Sequence, residues 1–169
     1  CLSASVRCPA SINLFLAEIM KKIAVASDHA GYELKESIVT LLVHLGYKVD
    51  DLGPKNSDSV DYPDYGISLA RAVAEEKVPR GIVICGTGIG MSIVVNRFSG
   101  IRGTLCSDVY TAKLCREHND SNILIMGGHV VGKGLAHEIV QTWLNTPFEG
   151  GRHQKRLDKI IQFDASNKL

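Results

Sequence analysis

One cysteine stands in a run of glycines, Cys85-Gly86-Thr87-Gly88-Ile89-Gly90, directly after the apolar segment Gly81-Ile82-Val83-Ile84. A strand that opens through glycines into a helix leaves backbone N–H groups unpaired at the helix start. There they and the helix dipole can hold an anion or a developing oxyanion. A thiol at the lip of such a loop is a candidate catalyst. The spacing fits neither of two familiar phosphate loops. Counting from Gly86, Met91 occupies the third glycine position of a dinucleotide fingerprint. Met91 also stands where a phosphatase-style cysteine loop needs arginine. Glycines that serve only a tight turn and a cysteine that serves only the core are the plainer alternative.

Three further groups could join such a site. Asp28-His29-Ala30-Gly31 closes the first strand and offers a carboxylate and an imidazole, although an aspartate there also suits a helix cap. His118-Asn119-Asp120 ends a helix, where a histidine gains from the dipole and Asn119 suits a left-handed cap. Arg152 and Arg156 lie four apart on one helical side, a spacing suited to clamping a phosphate. The acids Asp51, Asp58, Asp61 and Asp64 lack the ligand spacing of a calcium loop, and no histidine pair has zinc spacing, so no metal is expected.

The elements that must carry these residues alternate. Strand-like runs at Lys22 to Ala26, Lys48 to Asp50, Gly81 to Cys85, Gly100 to Cys106 and Asn122 to Met126 are separated by helix-period segments. In the first helix Leu34, Ile38, Leu41, Leu42 and Leu45 mark one buried face, and Gly46 stops it. Further helices are expected from about Tyr65 to Glu76, Ile89 to Arg97, Asp108 to Glu117, and Val131 to Leu144. The last of these turns Leu135, Ile139, Val140 and Trp143 inward. Such units connect right-handedly, which predicts a three-layer, doubly wound α/β fold with five parallel strands in the flavodoxin-like order 2-1-3-4-5. Ligands of these sheets bind beyond the carboxyl ends of the strands, so Asp28-His29, the loop from Asp51 to Asp64, the cysteine loop, Ser107-Asp108 and Gly127-Gly128-His129 should converge on one rim. A final helix from about His153, with Leu157, Ile160 and Ile161 on one stripe, reads as an arm for a second subunit.

The chain has 169 residues, 45% hydrophobic and 22% charged. That suits one globular domain burying roughly 70% of the surface its unfolded form exposes. A net charge of +1 gives no global field for nucleic acid or anionic membrane, and no apolar run approaches a bilayer span. Five cysteines (Cys1, Cys8, Cys85, Cys106 and Cys115) with no C-x-x-C pair suit a reducing, cytoplasmic setting. Residues 1–19 read as a leader extension ahead of Met20-Lys21-Lys22, and 20–169 as one domain with a C-terminal arm over 147–169.

Five segments in order, Ser27-Asp28-His29-Ala30-Gly31, Asp61-Tyr62-Pro63, Cys85 to Gly90, Arg116-Glu117-His118-Asn119-Asp120 and Glu149-Gly150-Gly151-Arg152-His153-Gln154, resemble the B-type ribose 5-phosphate isomerases from about Met20 to Ile161. The resemblance implies a Rossmann-like fold that dimerises, often into tetramers, and an aldose–ketose isomerase acting on ribose 5-phosphate without metal or organic cofactor. It implies Cys85 as the base between C1 and C2, Thr87 as the hydroxyl assisting proton transfer between the oxygens, and Gly86, Gly88 and Gly90 as an oxyanion hole. By the same resemblance His118 opens the furanose ring with Asp28 nearby. His29, Arg152 and Arg156 grip the phosphate, and Tyr62 and Asn119 contact the sugar. His118 and the arginine region are implied to reach the site across the dimer interface. Two positions depart from common patterns. His129 stands where many members have arginine, making one phosphate contact sensitive to pH. Met91 stands where related branches carry a glutamate base, which fits the cysteine-based branch. Galactose 6-phosphate and allose 6-phosphate isomerases share these motifs, and a noncatalytic sugar-phosphate sensor could keep the same fold.

Overall fold

Strands buried on both faces read as unbroken apolar runs, and the two purest runs in this chain, β3 (Gly81–Cys85) and β5 (Ile123–Gly127), pair side by side at the sheet centre. β1 (Lys22–Ser27) pairs with β3 and also with the polar edge strand β2 (Lys48–Asp51). β4 (Gly103–Leu105) takes the other edge beside β5. All five strands are parallel, and the computed structural model describes residues 21–166 of the chain. The expected leader over 1–19 and the last three residues lie outside the described residues.

The observed order is β2-β1-β3-β5-β4, which corrects the expected 2-1-3-4-5. The reason is visible in composition. Gly103-Thr104-Leu105 is short and half-exposed, whereas Ile123-Leu124-Ile125-Met126 has no polar side chain to turn to water. The wholly apolar strand must therefore take the inner position. The expected strand from Gly100 to Cys106 is accordingly trimmed to three residues at the edge.

Helices cover both faces. α1 (Tyr32–His44), α4 (Val109–Asn119) and α5 (Lys133–Asn145) pack with Ile23, Val25, Ile82, Ile84, Leu124 and Met126. α2 (Tyr62–Ala74) and α3 (Ile89–Val95) pack with Ala24, Ala26, Val83, Cys85, Ile123 and Ile125 on the opposite face. The period-2 alternation of each strand thus divides one sheet between two cores. α6 (Arg152–Ser166) follows the sheet as an added helix against α4.

Several boundaries and faces differ from the expectations. α2 begins at Tyr62, three residues early, because Pro63 sits in the first turn where its missing N–H costs no hydrogen bond. α3 ends at Val95, short of Arg97. In α5 Ala136 takes the inward place assigned to Leu135, which is exposed, and in α1 Leu45 lies outside at the helix end. Lys35 is buried instead, its ammonium paired to Asp51 Oδ2 at 2.7 Å and Glu36 Oε1 at 2.8 Å. Asp51 Oδ1 also accepts the Gly53 N–H at 2.9 Å, so this pair fixes the exit of β2 into the long loop.

Candidate active site

The strands run in one direction, so their carboxyl ends form one rim. Asp28 follows β1 and is 6% exposed. Its Oδ1 accepts the Gly31 N–H at 2.9 Å, capping the short 3₁₀ turn His29–Gly31, and its own N–H donates to Ile84 O at 3.1 Å beside β3. His29 Nδ1 lies 3.2 Å from both the N and the O of Val60, tying the first turn to the long loop after β2. Capping and site placement therefore coexist at Asp28 and His29.

Next along the rim is the cysteine loop. Cys85 ends β3 and is 5% exposed, and its Sγ accepts the Gly88 N–H at 3.2 Å. Thr87 Oγ1 accepts the Ile89 N–H at 3.3 Å. Two N–H groups at the start of α3 are thus held by the two candidate catalytic side chains. Those of Gly90 and Met91, in the same first turn, have no acceptor within the helix by the geometry of helix starts. Gly88 makes the turn possible: its φ is +79°, and an added Cβ would collide with the Leu105 side chain and lie 3.1 Å from the Met126 backbone.

Neighbours close around the loop. The Gly90 face is covered by Tyr62, whose ring would lie 2.7 Å from an added Cβ, and the Gly86 face by His129, with Cδ2 at 3.2 Å from one. His129 N–H donates to Gly86 O at 3.0 Å and Gly128 N–H to Cys85 O at 2.8 Å. Asp28, His29, Tyr62, Cys85, Gly86, Thr87, Gly88, Gly90 and His129 therefore gather on one edge. Cys106 and Cys115 do not join them. They face each other in the core with sulfurs 3.9 Å apart.

His118, Asn119, Arg152 and Arg156 are elsewhere in the chain. α4 runs back against the strand direction, so His118 in its last turn comes to the edge where the strands begin. Asp120 confirms the placement: its carboxylate meets Arg102, the residue just before β4, with Oδ2 2.8 Å from Nη2. A strand of five residues spans about 13 Å between the two edges. Asp120, with φ 47°, is the left-handed cap, and Asn119 is still helical, which corrects the capping role expected of Asn119.

A second cluster forms around His118. Its ring stacks on that of His153, centroids 4.2 Å apart and planes 5° from parallel. His153 is 2% exposed. Its Nε2 lies 3.3 Å from Arg152 Nε, which donates to it, and 3.4 Å from Glu149 Oε2. Burial, then the neighbouring His118, Arg152 and Arg156, push the His153 pKa below its ordinary value, with Glu149 pulling the other way. With the Nε2 lone pair taken by the Arg152 N–H, the neutral ring makes no ion pair with Glu149. Ligand atoms of His118, Glu149 and His153 lie within 4.8 Å of one another. Parallel stacked rings, however, keep their in-plane lone pairs in separate planes, unlike the converging donors of a tetrahedral zinc centre. Glu149 and His153 were not singled out as site residues from sequence, because the stack joins two helices and leaves no local spacing signal.

α6 carries this cluster and an apolar stripe. Leu157 is buried, while Ile160 and Ile161 are more than half exposed, and Ile160 lines a groove with Phe98, Ile101 and Phe163. Among the described residues no helix is long and apolar enough to cross a membrane.

Comparison with known proteins adds four findings. Residues 23–160 match a family described as ribose/galactose isomerase. The chain is 51% identical over 145 residues to ribose-5-phosphate isomerase B of Escherichia coli, covering 86% of this chain and 97% of that one. Among solved structures, ribose-5-phosphate isomerase B of Clostridium thermocellum superposes with a TM-score of 0.84 at 50% identity, covering 86% and 98% of the two chains. The Mycoplasma genitalium ribose-5-phosphate isomerase B, solved with bound ribulose-5-phosphate, gives 0.83 at 37% identity, covering 86% and 97%.

Proposed function

The chain belongs to the ribose/galactose isomerase family and is an aldose–ketose isomerase; from that premise we propose that it interconverts ribose 5-phosphate and ribulose 5-phosphate through an enediolate, without metal or organic cofactor. The observation that carries the reading is the rim cysteine with a backbone N–H at its sulfur: Gly88 N–H to Cys85 Sγ, 3.2 Å. That bond fixes the sulfur at the mouth of the glycine loop, within reach of a substrate bound at the rim.

The reaction then balances within the sugar. Opening the furanose breaks the C1–O4 bond, delivers a proton to O4 and removes one from the O1 hydroxyl, and His118 is the acid/base for that exchange. Cys85 takes the proton from C2 of the open aldose and returns it to C1. Thr87 Oγ1 passes the hydroxyl proton from O2 to O1. The N–H groups of the loop face the enediolate oxygen, each well-aimed donor being worth about 3 kcal/mol in the transition state. Tyr62 and Asn119 contact the sugar, and Asp28 supports the ring-opening end. His29, His129, Arg152 and Arg156 hold the phosphate, whose binding keeps the reacting carbons in register.

His118 and Cys85 occupy opposite sheet edges of one chain, which supports a site shared between two protomers. The exposed stripe of α6 supports the same assembly. A hexose 6-phosphate is the second reading, favoured by the inclusion of galactose in the family description. Rates on five- and six-carbon substrates separate the two. Cys85→Ala is expected to abolish ribulose 5-phosphate formation in a coupled assay while leaving substrate binding measurable by calorimetry. Full activity in that variant would reject the assigned base.

A further inference from the structure

His153 has no part in the reaction as described, yet it is held from several sides. Its N–H donates to Gly150 O at 2.9 Å, its Nε2 meets Arg152 and Glu149, and its Nδ1 is buried without a partner. Backbone completes the tie between α6 and α4, with Glu149 N–H donating to Glu117 O at 3.0 Å. Gly150 (φ 66°) and Gly151 (φ 54°) turn the chain from that bond into α6, a left-handed pair that side chains disfavour.

His118 is held differently. It is half-buried in the last turn of α4, and among the described residues no group hydrogen-bonds to its ring. The imidazole torsion about Cβ–Cγ is broad, so nothing intrinsic to the side chain fixes its plane. The face of His153 does. An acid/base must bring one ring nitrogen within hydrogen-bond reach of the sugar oxygen, about 2.6–3.2 Å.

We infer that His153 is a positioning residue for ring opening: its flat face holds the His118 imidazole in the plane from which His118 acts on the furanose oxygen. This rests on the reading of His118 as the ring-opening group. It also places the aim of that histidine on the same helix as Arg152 and Arg156, so that phosphate anchoring and imidazole orientation share α6.

The test compares ribose 5-phosphate with 4-deoxyribose 5-phosphate, which lacks the hydroxyl that closes the furanose and so stays open. His153→Leu fills a similar volume without a flat face. It is expected to lower kcat/KM on ribose 5-phosphate by about tenfold or more, and on the deoxy sugar by less than about threefold. His153→Phe restores the face and should return the ribose 5-phosphate value to within about threefold of wild type. Equal losses on both sugars, no loss on ribose 5-phosphate, or a Phe variant no better than Leu overturns the inference. Should the Leu variant not fold, histidine-selective NMR of the wild-type protein reads the same contact. The ring protons assigned through His118→Asn should lie upfield under the neighbouring ring current, and ordinary shifts there overturn it. A wild-type protein that turns over neither sugar instead rejects the isomerase reading, and the inference with it.

Discussion

A thiol that serves as a base must reach its ionised form and still be reached by substrate, two demands that pull on burial in opposite directions. Cys85, the proposed base, sits 5% exposed at the end of a buried strand with the Gly88 N–H at its sulfur, at the rim where a substrate would arrive. That arrangement was legible in sequence, because a strand, a cysteine and glycines in immediate succession are all local. The stack of His118 on His153 was not, because it depends on how α4 and α6 cross. The same stack gives a pH prediction. The folded pKa of His153 lies below its ordinary value of 6.5. Below that value the unfolded chain takes up a proton that the folded chain refuses, so this contribution to stability is present above it and is lost as pH falls toward the lower folded pKa. Urea midpoints should therefore drop on acidification from about pH 8 to about pH 5.5 by more in wild type than in His153→Phe. Parallel pH dependences would show that His153 is not the group responsible.

At the scale of elements, burial decides position. The alternation of strands and helices is plain in the hydrophobic pattern, but connection order alone suggests that β5 follows β4 outward. The apolar completeness of Ile123 to Met126 moves β5 inside and leaves the half-polar β4 at the edge. Lys35 is the opposite surprise, a charge on the inward face of α1. Burial opposes its ammonium, but Asp51 and Glu36 outweigh that effect and the net shift of its pKa is upward. Its stabilisation is thus complete below the ordinary lysine range and is lost only as pH rises through the raised value. Lys35→Met would remove the hydrogen bond at 2.7 Å that holds Asp51 and, through it, the exit of β2. Asp51 keeps partial access to water, so the expected loss is about 2 kcal/mol by urea denaturation. A variant as stable as wild type would mean that the pair contributes only specificity.

For the whole molecule the decisive fact is that α4 returns His118 to the edge opposite Cys85. If the site is shared, two inactive proteins should repair one another. In a refolded equal mixture of Cys85→Ala and His118→Asn, half of the pairs are mixed, and each mixed pair has one intact site of two. Activity should recover to about a quarter of wild type. No recovery would place both groups in one chain's site. On a shared site, a protomer with its thiol half at one end and its imidazole half at the other is, in effect, a link with two unlike couplings. Chained head to tail, such links would always leave a mismatched half dangling at each end. Only a ring that closes on itself, a pair about a two-fold axis being the smallest, consumes every half.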